Sequence, residues 1–356
     1  MKERCGSAIV VGAGVIGLTS AFRLARDGWR VSVFDPALGH GATWAAAGMV
    51  APNAEIAPGE FDNYVRQRGA IAAWRDLAGE IRAAGGGRVS VTTAGTLLVG
   101  FDAGDRQLID QHCRVAQEFG VSGERVYRVD RPDMFAGVTP RISEGLLFGD
   151  DAWVDPDEIV AGLTAAAREL DVTFVAELVT SAATEDESVV VTTASDRVGA
   201  DVGILATGAN ALPEGLAARV SHAVRPVRGM TLRVSGVDRT GQPMMRAFVR
   251  GRPWYFVSRS KEYGVIGASS DEQAELGVEL GELQRLVRDS LDVVPSFESA
   301  TLLEVREGRR PASTSLEPFF EIVDGRWAWM SGHYRHGVTL APLSSLEAVD
   351  FARSLK

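Results

Sequence analysis

Three glycines near the start of the chain have a spacing that suits phosphate binding. Gly12, Gly14 and Gly17 form the pattern G-x-G-x-x-G. In this pattern the first glycine permits a tight turn, the second lets a pyrophosphate approach the backbone, and the third lets a helix pack on a strand. Asp35 follows after about 20 residues, where a carboxylate can accept hydrogen bonds from ribose hydroxyls. These residues predict a dinucleotide site. The acid at position 35 disfavours NADP and leaves NAD and FAD open.

The elements around the glycines form a β-α-β unit. Ala8–Val11 is a short apolar run typical of a buried parallel strand, Leu18–Arg26 has helical spacing, and Arg30–Phe34 is a second strand. A helix that begins behind the glycines directs its free N–H groups and the positive end of its dipole at the phosphates. The predicted contacts therefore also include Val15 and Ile16 of the motif.

Composition and charge argue against several classes of function. The chain has 356 residues, a net charge of −10 and a pI of about 5.2, which speaks against a nucleic-acid partner. No apolar run approaches the roughly 20 residues of a membrane span. We expect no signal peptide before the first strand, and hence a cytoplasmic protein. Cys5 and Cys113 suit a reducing compartment and belong to no metal-binding cluster.

The segment after Asp35 carries a family resemblance. It reads D-P, then G-A-T-W-A-A-A-G-M-V-A-P, and it resembles the D-amino acid oxidase family of flavoproteins, most closely its glycine oxidase branch. The resemblance implies FAD rather than NAD. In the family this segment runs beside the isoalloxazine ring, which implies flavin contacts from Thr43, Ala46, Ala47, Gly48 and Met49. Relatives with covalent flavin use a histidine here or a late cysteine. This chain has neither, so we expect noncovalent FAD.

Further motifs extend the resemblance over nearly the whole chain. Residues 201–208, D-V-G-I-L-A-T-G, match the second flavoprotein signature, and residues 332–342, G-H-Y-R-H-G-V-T-L-A-P, match the family's G-H-Y/F-R-N-G-I-L-L-A-P. A helix over Ser344–Leu355 would direct its N-terminal turn at the flavin. The cofactor contacts that these motifs imply, with the adenine contact that relatives make through a valine, are Val179, Ala206, Thr207, Gly208, His333, Tyr334, Arg335, His336, Gly337, Val338 and Thr339.

The resemblance also implies residues that bind the substrate. A substrate carboxylate needs an anchor, and arginine offers a planar fork that keeps its charge. Arg310, in E-V-R-E-G-R-R-P, matches the arginine of the family's E-x-W-A-G-L-R-P. Tyr255, in W-Y-F-V-S-R, matches a tyrosine that hydrogen-bonds the same carboxylate, and Arg335 matches the arginine beside the flavin. These three form the predicted catalytic set.

Several positions depart from the family pattern. Asn210 replaces a tryptophan, Met230 a glutamine and Arg309 an apolar residue, and the loop around Ser315 lacks the aspartate and glycine of relatives. His336 replaces an asparagine. It is either a loop histidine bonded to backbone, which we favour, or a group that titrates near the flavin. These departures leave the substrate open.

The predicted fold is α/β. A Rossmann-like FAD-binding domain of the glutathione-reductase type comprises residues 1–84, 145–222 and 300–356. A second α+β domain with an antiparallel sheet over the flavin comprises residues 85–144 and 223–299.

The resemblance implies oxidative deamination of glycine, sarcosine or a small D-amino acid, by hydride transfer from Cα to flavin N5. The products would be an imine or 2-oxo acid and hydrogen peroxide, with oxygen as acceptor. One alternative is an amino acid dehydrogenase of the same fold with another electron acceptor. A second is a non-catalytic flavin-binding module. Relatives are often dimers or tetramers, so a homo-oligomer is expected.

Overall fold

The computed structural model describes residues 5–272 and 275–356. The expectation of no signal peptide lies partly outside these residues. In chain order the strands are β1 (Gly6–Val11), β2 (Trp29–Phe34), β3 (Met49–Val50), β4 (Val91–Thr93), β5 (Thr96–Gly100), β6 (Glu124–Tyr127), β7 (Glu144–Phe148), β8 (Ala152–Val154), β9 (Thr173–Val175), β10 (Ser181–Glu185), β11 (Ser188–Thr192), β12 (Arg197–Ala200), β13 (Val202–Leu205), β14 (Val224–Ser235), β15 (Met244–Val249), β16 (Arg252–Ser258), β17 (Gly264–Gly267), β18 (Thr301–Ser313), β19 (Phe319–Val323) and β20 (Trp327–Ser331).

The helices connect and cover these strands. They are α1 (Val15–Arg26), α2 (Ala42–Ala45), α3 (Phe61–Gln67), α4 (Ala70–Ala83), α5 (Ala103–Glu118), α6 (Pro156–Glu169), α7 (Leu280–Val293) and α8 (Gly337–Ser354), with short 3₁₀ turns at Ala217–Arg219, Pro295–Ser299 and Tyr334–His336.

The glycine motif lies in a six-stranded sheet of order β19-β20-β13-β1-β2-β9. β1 pairs in parallel with β2 and with β13. The predicted β-α-β unit is confirmed, and α1 begins at Val15 rather than Leu18. Gly12 has φ +104°, and a Cβ there would overlap the Ala206 carbonyl. A Cβ on Gly17 would overlap the Gly12 carbonyl, so side chains at these positions would separate the helix from the sheet.

Helices α1, α4, α6 and α8 build the core of this half of the molecule. Phe22, Leu18, Trp74 and Leu77 are fully buried there. α8 begins at Gly337, seven residues before the predicted start at Ser344, and it contains Pro342. That proline cannot donate to the carbonyl of Val338, which accepts from the indole of Trp74 at 2.9 Å instead. The sequence around Pro342 does not reveal this donor, which lies far away in the chain, and the prediction of a start at Ser344 is therefore wrong.

An eight-stranded sheet of order β18-β14-β17-β16-β15-β5-β7-β6 forms the second layer. Its pairs are antiparallel except for β15 with β5. α7 covers one face, where Trp254, Phe256 and Leu286 are buried. The predicted fold class, a Rossmann-like α/β domain with a second, largely antiparallel domain, is confirmed.

The pairing of two strands bears on the predicted domain boundaries. Residues 300–313 were assigned to the nucleotide domain, yet β18 pairs with β14 from Thr301 to Ser313. Likewise β7 pairs with β5 and β6. We therefore propose that 95–148 and 224–313 form the substrate domain, because strands of one sheet share their hydrogen bonds and cannot separate independently, and β4 pairs with β8 outside this sheet. No helix in the described part of the chain is long and apolar enough to cross a membrane.

Candidate active site between the two sheets

The N-terminus of α1 offers unpaired donors. Gly14 is the N-cap, and the Val15 amide donates to the Thr43 hydroxyl at 3.0 Å. Among the residues that the structure describes, the amides of Gly14, Ile16 and Gly17 have no protein acceptor, and the first turn carries no acidic residue. Free amides at the positive end of a helix dipole suit an anionic group such as a pyrophosphate.

Asp35 closes β2 beside this turn. Its carboxylate accepts from the amide of Ala13 at 2.6 Å and from that of Ala37 at 2.7 Å. Each carboxylate oxygen keeps a lone pair for a further donor, so the position is compatible with ribose hydroxyls. Nearby, the amide of Ala206 donates to the carbonyl of Val11 at 2.8 Å. Thr207 and Gly208 follow it at the end of β13.

Val179 is buried beneath the nucleotide sheet. Its own amide and carbonyl have no partner in the described part of the protein. Buried backbone groups are nearly always hydrogen-bonded, so a ligand edge with one donor and one acceptor, such as adenine, fits this place.

The segment from Trp44 to Met49 lies against the larger sheet, and Thr43 just before it accepts from the first amide of α1. Gly48 has φ +77°, and a Cβ there would overlap the carbonyl of Val154. Met49 pairs with Trp153 in a small sheet formed by β3, β8 and β4. The carbonyls of this segment accept hydrogen bonds from side chains on the larger sheet or directly beside it, and nothing in the sequence indicates these bonds. Thr231, Arg233, Arg259 and Arg306 are the donors.

The histidines before α8 are buried and neutral. His333 bonds to the Ser344 hydroxyl at 2.9 Å, and burial lowers its pKa to about 4. His336 accepts from Arg335 Nε at 3.0 Å, and burial, followed by the nearby charge of Arg335, lowers its pKa well below the usual range. This favours the view of His336 as a hydrogen-bonded structural histidine, although its partner is a side chain and not backbone.

The charge of Arg335 is paired with a carboxylate. Its guanidinium pairs with Glu60 at 2.7 Å and donates to the Glu55 carbonyl at 3.3 Å. It therefore ties the loop of residues 55–60 to the start of α8. An arginine with its own carboxylate is a weaker candidate for a substrate anchor than one without.

Arg310 and Tyr255 lie on the same face of the larger sheet. Tyr255 lies opposite Gly267 in the β16–β17 pair, and a Cβ on Gly267 would overlap the tyrosine ring. A Cβ on Gly229 would likewise overlap the guanidinium of Arg310. The two glycines thus make room for the two side chains to lie flat on neighbouring strands. The sequence motifs located the arginine and the tyrosine, but nothing in them indicated the two glycines.

The partners of Arg310 are unusual for a half-buried charge. Its guanidinium donates to the carbonyls of Arg228 at 3.3 Å and Ser269 at 3.2 Å. No carboxylate among the described residues pairs with it. The Tyr255 hydroxyl also has no described partner, and burial raises its pKa, an effect that the charge of Arg310 opposes. Both groups can therefore donate to an incoming anion.

A second arginine stands beside Tyr255. Arg246 lies opposite it in the β15–β16 pair and bonds to the Ala54 carbonyl at 2.9 Å and to the Glu55 carboxylate at 3.0 Å. The loop that carries Glu55 is held by buried Asp151, whose carboxylate accepts from the amides of Asn53 and Ala54 at 3.2 Å each. Burial raises the pKa of Asp151 to about 7.

Comparison with known sequences decides the family. A sequence model of the FAD dependent oxidoreductase family, abbreviated DAO, matches residues 7–350. The chain belongs to this family. The predicted resemblance, the oxidoreductase class and the cofactor FAD are thereby confirmed.

Similar sequences and structures cover nearly the full length of this FAD-dependent oxidoreductase. It is 28% identical to a glycine oxidase of Bacillus licheniformis over 96% of this chain and 91% of that one. It is 29% identical to a putative thiamine biosynthesis oxidoreductase ThiO of Rhizobium etli, over 94% and 92%. A glycine oxidase structure from Geobacillus kaustophilus has a TM-score of 0.88 at 23% identity, covering 98% and 95%. An iminodiacetate oxidase structure from Chelativorans sp. BNC1 has a TM-score of 0.86 at 22% identity, with the same coverage.

The residues described above fit FAD. The free amides at α1 suit its pyrophosphate, Asp35 suits a ribose, and the unpartnered backbone of Val179 suits adenine. In addition, the amides of Ala47 and Gly48 have no acceptor among the described residues, which suits the polar edge of an isoalloxazine ring. The individual contacts remain predictions.

Proposed function

We propose that this oxidoreductase oxidises a small amino acid, such as glycine, sarcosine or a small D-amino acid, with noncovalent FAD. The observation that carries the proposal is Arg310, a half-buried arginine that donates only to backbone carbonyls and has no described carboxylate partner. Burying a charge without a partner is costly, so a substrate carboxylate is its natural complement. The names of the similar proteins agree with an amine oxidase.

In this proposal the substrate carboxylate accepts two parallel hydrogen bonds from Arg310 and one from the Tyr255 hydroxyl. A planar guanidinium fixes the plane of a carboxylate as well as its place, and the tyrosine fixes its rotation. Together they would hold the substrate Cα on the side of the sheet that faces the Trp44–Met49 segment. Bound FAD would supply the acceptor for the hydride that leaves Cα.

The two acids of the loop over residues 55–60 are already paired with arginines. Glu55 binds Arg246, and Glu60 binds Arg335, so these acids rigidify the loop over the site and leave the carboxylate anchor unopposed. Preorganised groups of this kind lower the cost of ordering the substrate. We propose oxygen as the electron acceptor, with hydrogen peroxide as product. A dehydrogenase that uses another acceptor is the alternative.

The test is anaerobic reduction of the flavin in the purified holoprotein. Glycine, sarcosine, D-alanine, D-proline and iminodiacetate are mixed with it separately, and the yellow absorbance is followed. At least one should bleach the flavin, whereas methylamine, which lacks a carboxylate, should not. Readmitted air should restore the colour of an oxidase rapidly and that of a dehydrogenase slowly. If dithionite alone reduces the flavin, the proposed substrate class is wrong.

A further inference from the structure

Arg233 is a buried arginine beneath the Trp44–Met49 segment. It lies on β14 and is 1% exposed. Its guanidinium donates to the carbonyls of Trp44 at 3.1 Å and Ala46 at 3.0 Å, and to the Thr231 hydroxyl at 3.3 Å. Its Nε has no partner within the described residues.

The charge of Arg233 is not balanced by a nearby acid. Neighbouring Arg259 pairs with Asp155, and Arg306 pairs with Asp157 at 2.9 Å and with Glu304 at 2.7 Å. No carboxylate in the described ranges pairs with Arg233, although it is the most deeply buried of the three.

The other titratable groups around Arg233 do not supply a negative charge. Burial raises the pKa of Tyr263 and of Tyr255, so both phenols stay neutral. The acids bound to Arg306 are about half exposed, and water screens them. Arg233 therefore remains a net positive charge in a dry environment, where electrostatic effects are strongest.

The hydrogen bonds orient the peptide groups of the Trp44–Met49 segment in one direction. Four consecutive carbonyls, from Trp44 to Ala47, accept from side chains of the larger sheet: Arg233 and Arg306 at Trp44, Thr231 at Ala45, Arg233 at Ala46 and Arg259 at Ala47. The amides of Ala47 and Gly48 have no acceptor in the described structure. The peptide dipoles thus direct their negative ends at the arginines, and positive ends remain for a ligand on the other side.

We propose that Arg233 raises the reduction potential of FAD bound against this segment. Uptake of two electrons and one proton leaves a negative charge on the flavin ring. Arg233 stabilises that charge directly and through the amides that it orients. The inference rests on the proposed placement of FAD beside residues 44–49, and it assigns the unpaired charge of Arg233 to the cofactor rather than to the substrate.

The experiment compares three variants of the holoprotein by flavin reduction potential at pH 7, using a chemical reductant and a reference dye. Arg233→Gln removes the charge and keeps hydrogen-bonding ability. Arg233→Lys keeps the charge. Arg306→Gln is the matched control, because Arg306 contacts the same Trp44 carbonyl at 3.1 Å but already has acidic partners. The dissociation constant of FAD is measured in parallel.

We expect Arg233→Gln to lower the equilibrium constant for flavin reduction at least tenfold, which corresponds to a fall in the reduction potential of about 30 mV for a two-electron couple. Arg233→Lys and Arg306→Gln should change it less than threefold. A parental potential in Arg233→Gln with FAD still bound would overturn the inference. If Arg233→Gln does not fold, a tenfold loss in Arg233→Lys would overturn it, since the charge is retained. Because no amino acid is used, this result is independent of the proposed substrate.

Discussion

At the scale of single residues, charge partners distinguish arginines that the sequence treats alike. Arg310 and Arg335 both lie in motifs of the family and both belong to the predicted catalytic set, Arg310 as the carboxylate anchor and Arg335 as the arginine beside the flavin. The structure gives Arg335 a carboxylate partner, Glu60, whereas the acceptors of Arg310 among the described residues are all carbonyls. The sequence could suggest the residue type for a carboxylate anchor, but it could not show which arginine is left free.

Asp151 gives a prediction at the same scale. Its raised folded-state pKa of about 7 exceeds the usual value of about 3.9 for an unfolded aspartate, so between these values the folded state binds more protons. The free energy of unfolding of the parent, relative to Asp151→Asn, should therefore fall as pH rises from about 4 to about 7. The slope should approach at most about 1.4 kcal/mol per pH unit.

Urea unfolding of both proteins at several pH values measures this difference. His333 and His336 have lowered pKa values and act with the opposite sign, since their contribution is lost as pH falls. They are present in both proteins, so they cancel in the difference. A difference that does not vary with pH would show that Asp151 is ionised throughout, despite its burial.

At the scale of elements, glycines on neighbouring strands shape the anchor. Gly229 on β14 and Gly267 on β17 leave the space that Arg310 and Tyr255 occupy. The apolar residues predict strands over 231–234 and 263–268, so the sequence indicates a strand at Gly267 but not at Gly229, which lies in the longer β14. The pairing order of the strands could not be predicted, because β18 joins the sheet from the far end of the chain and its register with β14 is a long-range property.

Gly229→Ala tests the role of this space. The three atoms nearest to the added Cβ all belong to the end of the Arg310 side chain, which is flexible, so the protein should fold and bind FAD. The displaced guanidinium should weaken substrate binding, raising KM at least tenfold. Gly199→Ala on β12 is the matched control, because its nearest atom would be 3.7 Å away. An unchanged KM in Gly229→Ala would show that Arg310 does not need this position.

The helices and strands that depend on local sequence were predicted correctly. Those whose ends depend on residues far away in the chain were not. The β1-α1-β2 unit was predicted because its strand, glycine turn and helix are continuous in sequence. The apolar spacing of residues 61–84 predicts one amphipathic helix, whereas the structure divides it into α3 and α4 at Gly69. The early start of α8 depends on Trp74, which is far away in the chain and donates to the carbonyl that Pro342 leaves free.

At the scale of the whole molecule, the fold persists while side chains change. The match to the Geobacillus kaustophilus structure has a TM-score of 0.88 at only 23% identity. Such a likeness fixes where the two sheets meet, but it leaves Met230, Arg309 and His336 free to differ from relatives. The substrate therefore has to be established by experiment. The free amides of α1 and the sheet face that carries Arg310 come from opposite ends of the sequence, and the fold contains both.

The most direct test of the central claim is the substrate dependence of anaerobic flavin reduction in Arg310→Ala, beside Arg309→Ala. Arg309 is the adjacent arginine and donates to Asn210 Oδ1 at 2.9 Å. Loss of one partner of a buried charge pair costs about 2–5 kcal/mol. Half-maximal reduction should thus need at least about 30-fold more substrate in Arg310→Ala, and less than threefold more in Arg309→Ala. Equal substrate dependence in Arg310→Ala and the parent would contradict a carboxylate anchor at Arg310.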